Sequence, residues 1–154
     1  MKLIKVVVLV LVVLFGASLF AYALESTREA MILDMDGGVS VRVSGGISMP
    51  AEIGMVLKQG DAIITSQGAF ALVQIGGVET ATVEVSENSR VMLSELLSND
   101  ADSSQSTLLD LAMGKVLIKA AKLHSDKSKF EVKTPTSVVG VRGTTFEVQV
   151  EGIE

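Results

Sequence analysis

The chain has 154 residues with 13 basic and 18 acidic side chains, a net charge of −5, no cysteine, no tryptophan and one tyrosine. The missing cysteine excludes disulfides, thiolate metal sites, a cysteine nucleophile and a lipidated N-terminal cysteine. The acidic balance repels nucleic-acid phosphates and the few aromatic rings offer no stacking platform for bases, so no nucleic-acid partner is expected.

Lys2 and Lys5 precede an unbroken apolar run over residues 6–15, and Ala21-Tyr22-Ala23 forms an A-x-A pattern. This predicts a signal-peptide helix over residues 1–23, with the mature chain starting at Leu24. The alternative is an uncleaved anchor: the 19 residues from Val6 to Leu24 carry no charge, and about 18 apolar residues span a bilayer. The first reading makes the protein periplasmic or secreted. The second anchors it in the inner membrane, the only case in which it contacts membrane. Residues 24–30 read as a polar linker and residues 31–154 as one domain. The 131 residues from Leu24 onward suffice for a single core.

Strand patterning then recurs. Val39, Val41 and Val43 alternate with Ser40, Arg42 and Ser44. Ala69, Ala71, Val73 and Ile75 alternate with Phe70, Leu72 and Gln74, so both faces are largely apolar and a central strand is expected. Val83 and Val85 alternate with Thr82, Glu84 and Ser86, and Val116, Ile118 and Ala120 with Lys115, Leu117 and Lys119. Asp36-Gly37-Gly38, Gly45-Gly46, Gly60-Asp61, Gly76-Gly77 and Glu87-Asn88-Ser89 supply turn chemistry between them. Residues 93–97 fit a strand end or a helical turn, and the polar residues 98–107 read as a mobile surface loop. The pattern predicts an all-β fold, a single antiparallel β-sandwich or roll-like domain of short strands.

Charge is unevenly placed: residues 24–114 carry 13 acidic and 4 basic side chains, whereas residues 115–154 carry 5 acidic and 7 basic. Lys115, Lys119, Lys122, Lys127, Lys129 and Lys133 form either a patch for an anionic envelope polymer or acidic partner, or a solvated hairpin whose lysines guard an exposed edge. His124 stands among them without cysteine neighbours, a poor metal site, and reads as a loop residue. Asp34-Met35-Asp36-Gly37 and Asn99-Asp100-Ala101-Asp102 lack the further oxygen ligands that calcium needs and read as turns and solvated loop. No metal and no cofactor is expected. Catalysis has little support: one histidine, no serine in a Gly-x-Ser-x-Gly elbow, no phosphate loop, and no pair among 18 acidic residues singled out by its surroundings.

The most specified stretch is Phe130-Glu131-Val132-Lys133-Thr134-Pro135, followed by Val141-Arg142-Gly143-Thr144-Thr145-Phe146-Glu147-Val148. It reads as a strand ended by Pro135, a link marked by Gly140 and Gly143, and a second strand through Phe146, Val148 and Val150. Arg142 reads as a buried staple, its donors tying off carbonyls or pairing a carboxylate; the alternative is an anion or partner contact. These residues resemble the FecR domain, an extracytoplasmic module of bacterial envelope proteins, whose signature runs roughly Phe-x-Val-x-Thr-Pro, a spacer, then Val-Arg-Gly-Thr-x-Phe. Gly60-Asp61 entering a strand and Gly114-Lys115-Val116 resemble it more weakly.

The resemblance implies that Thr134, Pro135, Val141, Arg142, Gly143, Thr144 and Phe146 are a fold signature and not a catalytic site. It implies a non-catalytic sensor, adaptor or scaffold that binds an envelope protein. The alternatives are binding an anionic glycan or polymer through the lysine-rich face, and, last, carboxylate-based hydrolysis. In the family's best-known architecture a cytoplasmic anti-sigma region precedes a membrane helix. Here five residues precede the apolar run, so only the extracytoplasmic half is expected. Family members commonly continue past the last strand, whereas four residues follow Val150. The domain is expected either to close early or to be truncated.

Overall fold

The structure, a computed structural model, describes residues 25–77, 80–122 and 125–151. The signal peptide predicted over residues 1–23, and His124, lie outside the described residues.

Among the described residues, thirteen strands form one curled sheet. They are β1 (Glu25–Thr27), β2 (Ala30–Asp36), β3 (Val39–Arg42), β4 (Ser48–Pro50), β5 (Val56–Leu57), β6 (Ala62–Thr65), β7 (Phe70–Ile75), β8 (Ala81–Val85), β9 (Arg90–Asn99), β10 (Ser104–Ala120), β11 (Lys129–Lys133), β12 (Val138–Val141) and β13 (Thr145–Val150). The main path runs β4-β3-β6-β9-β10-β8-β7-β2-β5, with β1 on β9, β11 and then β12 beside the first part of β10, and β13 beside its last part. All pairings are antiparallel except that of β10 with β11. The all-β expectation holds, and β7 lies between β8 and β2 as a central strand.

Strand β10 organises this sheet. Its first part pairs with β9 and β11, and its last part with β8 and β13. A straight strand of 17 residues spans roughly 50 Å. Yet Gln105 and Thr107 near its start and Ala120 at its end line one small cavity of about 10 Å³, so β10 is folded back on itself. The burial pattern locates the fold-back. Gln105, Thr107, Leu109 and Leu111 point inward, all odd-numbered, and then Val116 and Ile118, both even. A one-residue slip reverses which side chains face the core. The register shift between Leu111 and Met113 supplies that slip as a bulge.

Gly114 sits at the bend with φ +92°, and a Cβ there would overlap the backbone and side chain of Ser89. The buried Ser89 accepts the Lys115 N–H at its Oγ (2.9 Å), pinning the bent strand to the turn before β9. Both parts of β10 feed one apolar cluster, with Leu109 and Leu111 from one and Val116 and Ile118 from the other, all fully buried. Each such side chain contributes about 1.5–3 kcal/mol by leaving water. The fold-back also explains the parallel pair. Parallel neighbours ordinarily need a crossover of a dozen or more residues. Here the end of β10 already lies beside its start, so eight residues, 121–128, reach β11.

Several expectations change. Residues 98–107 are not a loop: β9 runs to Asn99 and β10 starts at Ser104, leaving residues 100–103 as a turn. Their polarity misled because Gln105 and Thr107 are buried with hydrogen-bond partners. Residues 93–97 lie inside β9. Residues 25–30, read as linker, carry β1 on the end of β9, the buried Arg28 and the core residue Ala30. β10 is far from short.

Replacing Gly114 with alanine is expected to cost about 2 kcal/mol or more, because positive φ and overlap with Ser89 act together. At Gly140 a Cβ meets nothing within 4 Å, so Gly140→Ala is expected to stay within about 0.5 kcal/mol of the parent. Urea unfolding of both variants separates a bend that requires glycine from a motif glycine that does not.

Candidate functional site

The signature residues form a hairpin and a return strand. β11 and β12 pair antiparallel, with Phe130 opposite Val141 and Val132 opposite Val139. The link expected between two strands thus contains a strand of its own. The turn at residues 134–137 is closed by Thr134. Its N–H donates to the Ser137 carbonyl (2.8 Å), and its Oγ1 accepts the Ser137 N–H (3.0 Å). Pro135, with its fixed φ, suits the second position of such a turn. Phe130, Val132, Val141 and Val148 enter the core, and Phe146 packs against it half-buried.

Gly143 has φ +62°, and its would-be Cβ lies 2.8 Å from the Lys122 Cα, so only glycine fits where β12 passes the end of β10. Gly140 is under no such constraint. Thr144 is exposed, and its carbonyl accepts the Ala120 N–H at 3.4 Å.

Arg142 is not a buried staple. It is exposed and donates one hydrogen bond, Nη2 to the Asp126 carbonyl at 3.3 Å. It lines an open groove of about 340 Å³ with Lys129, Glu131 and Gly140.

The buried staple is Arg28. Its Nε donates to the Leu97 carbonyl (3.1 Å), Nη1 to the Gly76 carbonyl (3.1 Å) and Gln105 Oε1 (3.2 Å), and Nη2 to the Ser106 carbonyl (2.9 Å) and Thr107 Oγ1. One guanidinium fork thus joins the end of β9, the start of β10 and the chain leaving β7. It borders the small cavity where the two ends of β10 converge. Nothing in the sequence marks Arg28, a single basic residue in a polar stretch. The buried Gln105 and Ser89 were missed for the same reason.

The six lysines do not act as one free cationic face. Lys115 pairs with Glu147 (3.6 Å), Lys127 with Asp102 (2.9 Å) and Lys133 with Asp110 (3.9 Å). Such surface pairs add little stability but reduce the charge available to a polyanion. Hydrogen bonds from Ser104 and then Lys127 lower the Asp102 carboxyl from its ordinary 3.8 to about 2. Lys119, Lys122 and Lys129 make no ion pair among the described residues. Lys122 and Lys129 lie near the converging ends of β10, whereas Lys115 and Lys133 are held further along their strands. Asp34 and Asp36 lie in β2 and Asp102 in the turn between β9 and β10. No group of three potential ligands gathers for a metal among the described residues.

The chain is thus an all-β module whose hairpin, return strand and glycine-marked crossing bring its signature residues together. The family model described as "FecR protein" matches residues 61–153, more than half of the chain, so the protein belongs to the FecR family. The match begins at Asp61. This residue's buried carboxylate accepts the N–H groups of Ser44 and Lys58 (both 2.9 Å) and closes the turn into β6. Comparison with curated proteins and with solved structures yields no match.

Arg28→Gln is expected to destabilise the protein by about 3 kcal/mol or more, since it strips donors from several buried acceptors at once. Arg142→Gln is expected to change stability by less than about 0.5 kcal/mol. Thermal and urea unfolding of the two variants measure the contrast directly; equal losses would contradict the assignment of the staple to Arg28.

Proposed function

We propose that the protein is a non-catalytic binding module of the bacterial cell envelope, a sensor or adaptor that works outside the cytoplasm. Membership of the FecR family, a regulatory and not an enzymatic one, supports a signalling role. The observation that carries the binding reading is the free edge of β12. This strand pairs with β11 alone among the described residues. Its sequence, Val138-Val139-Gly140-Val141, holds no charge and no proline, and Val138 is 59% exposed.

Counting the antiparallel ladder from the bond between Thr134 and Ser137, Val138 and Gly140 turn their amides away from β11. An uncharged edge with outward amides accepts an extended segment of a partner as an added strand. The partner in this reading is an envelope protein.

The second reading, an anionic polymer held by lysines, has Lys119, Lys122 and Lys129 in its favour. The edge reading is preferred because Lys115, Lys127 and Lys133 are already engaged with carboxylates.

The test places a photo-crosslinking residue at Val139 in the full-length chain in cells, with a control at the exposed Glu84 on β8. The expected result is one envelope protein crosslinked from position 139 and not from 84. It should be lost in Val138→Pro, which removes an outward N–H, and retained in Val138→Thr. Equal crosslinking in Val138→Pro would contradict strand addition at β12.

A further inference from the structure

A second surface, centred on β3, β6 and β9 and reaching toward β12 only through Asp110 and Lys133, carries a different chemistry. Strands β3, β6 and β9 are neighbours, and Val41, Ile63 and Val91 form an inward row across them. The alternate residues therefore face outward. Arg42, Ala62, Met92 and Asp110 form one outward row across β3, β6, β9 and β10, and Arg90 stands one step away opposite Ile64. These residues line an open groove of about 410 Å³, within the size of small-ligand sites. Its floor is low where Ala62 and Ala112 lie, and the glycine turn at Gly45 and Gly46 forms its rim.

The two guanidiniums are the unusual feature. Residues 24–114 hold 13 acidic side chains and only 4 basic ones. One of the four, Arg28, is consumed in the fold, yet Arg42 and Arg90 share one groove without an ion pair among the described residues. Arg42 is oriented by one bond, Nε to Ser48 Oγ at 3.3 Å, which leaves its two terminal nitrogens available. The Arg90 guanidinium makes no hydrogen bond among the described residues, its backbone being paired in the sheet. β3 and β9 flank β6 and the two arginines are offset by two residues, so their Cα atoms stand about 10 Å apart across the strands and about 7 Å along them, about 12 Å in all, within reach of two long side chains converging on one group.

We propose that this groove binds a carboxylated saccharide, a uronic-acid unit of a glycan. A planar carboxylate matches the guanidinium fork in two-point contact. The Asp110 carboxylate, whose Oδ2 lies 3.9 Å from Lys133 Nζ, retains lone pairs that accept sugar hydroxyls, and the Met92 thioether offers a soft apolar surface to the ring. An acidic peptide fits less well, because it would bring several carboxylates against Asp110 and an acidic surface. A saccharide brings one per ring with neutral hydroxyls between. This inference stands apart from the β12 edge and shares no residue with it.

The experiment titrates the isotopically labelled full-length chain with a galacturonic acid trimer and follows amide shifts by NMR. Its fully methyl-esterified counterpart and inorganic phosphate serve as comparisons. The expected result is saturable shifts centred on Gly45, Gly46 and Ala112, absent with the ester. Arg42→Gln and Arg90→Gln should each weaken binding by about tenfold or more with unchanged melting temperature, which both exposed positions allow. No saturable shift at millimolar trimer, shifts elsewhere, equal binding of the ester, or binding indifferent to both substitutions would overturn the proposal. So would phosphate binding as tightly at the same amides, which would make the groove a general anion site. Loss of β12 crosslinking leaves this outcome untouched, so the two proposals fail separately.

Discussion

One strand belonging to both parts of the sheet is the constraint on which the rest of the structure depends. If β10 were straight, its first part would carry β9 and β11 some tens of ångströms from the part that carries β8 and β13. The apolar faces would then have nothing to close against. The fold-back at Gly114 lets Leu109 and Leu111 join Val116 and Ile118 in one cluster. The bulge that produces it also reverses inward parity, so both arms present their apolar side chains to the same interior.

Two polar devices hold this strand at opposite ends. At the bend, Ser89 takes the Lys115 amide and leaves no room for a side chain on residue 114. At the converging ends, Arg28 ties β9, β10 and the exit of β7 together through the strand carbonyls. Both satisfy groups that would otherwise be buried without partners, which costs more than the bonds themselves contribute. The family signature is a consequence of the same geometry. Because the end of β10 returns to its start, a short link places β11 alongside it. Gly143 then lets the chain pass Lys122 closely enough to enter β13 on the other arm.

Much of this was legible from the sequence where one period ruled a whole element. The alternation at Val39 and Val41, at Ala71, Val73 and Ile75, and at Val83 and Val85 marks strands because each keeps a single inward parity. β10 was half legible. Val116 and Ile118 announced its second arm, but the parity change at residues 112–114 and the buried Gln105 and Thr107 made its first arm resemble a loop. Their burial is tolerable only because Arg28 and Ser128 meet them, a fact of three dimensions that no local pattern carries. The signature is legible in the sequence, but the role of its arginine is not. A strand context suggested burial for Arg142, whereas the guanidinium that the fold consumes sits more than a hundred residues earlier. The lysines looked like one patch because they are close in sequence, and the strands disperse them and supply three with carboxylates.

Function on this account follows from what the folded strand leaves uncovered: an uncharged edge at β12 and a groove on the outward face of β3, β6 and β9 with two guanidiniums that make no ion pair among the described residues. The edge at β12 depends on β10 being doubled, because β12 pairs with β11 and β11 is brought beside β10 by the fold-back. The most direct measurement is a spin-label distance between cysteines placed at Ser106 and Lys119, on the two arms, in a chain with no native cysteine. The doubled strand requires a distribution centred below about 30 Å, the separation of two packed sheets plus two labels. A distribution centred at ~43 Å, the length of thirteen residues of straight strand, would contradict the account.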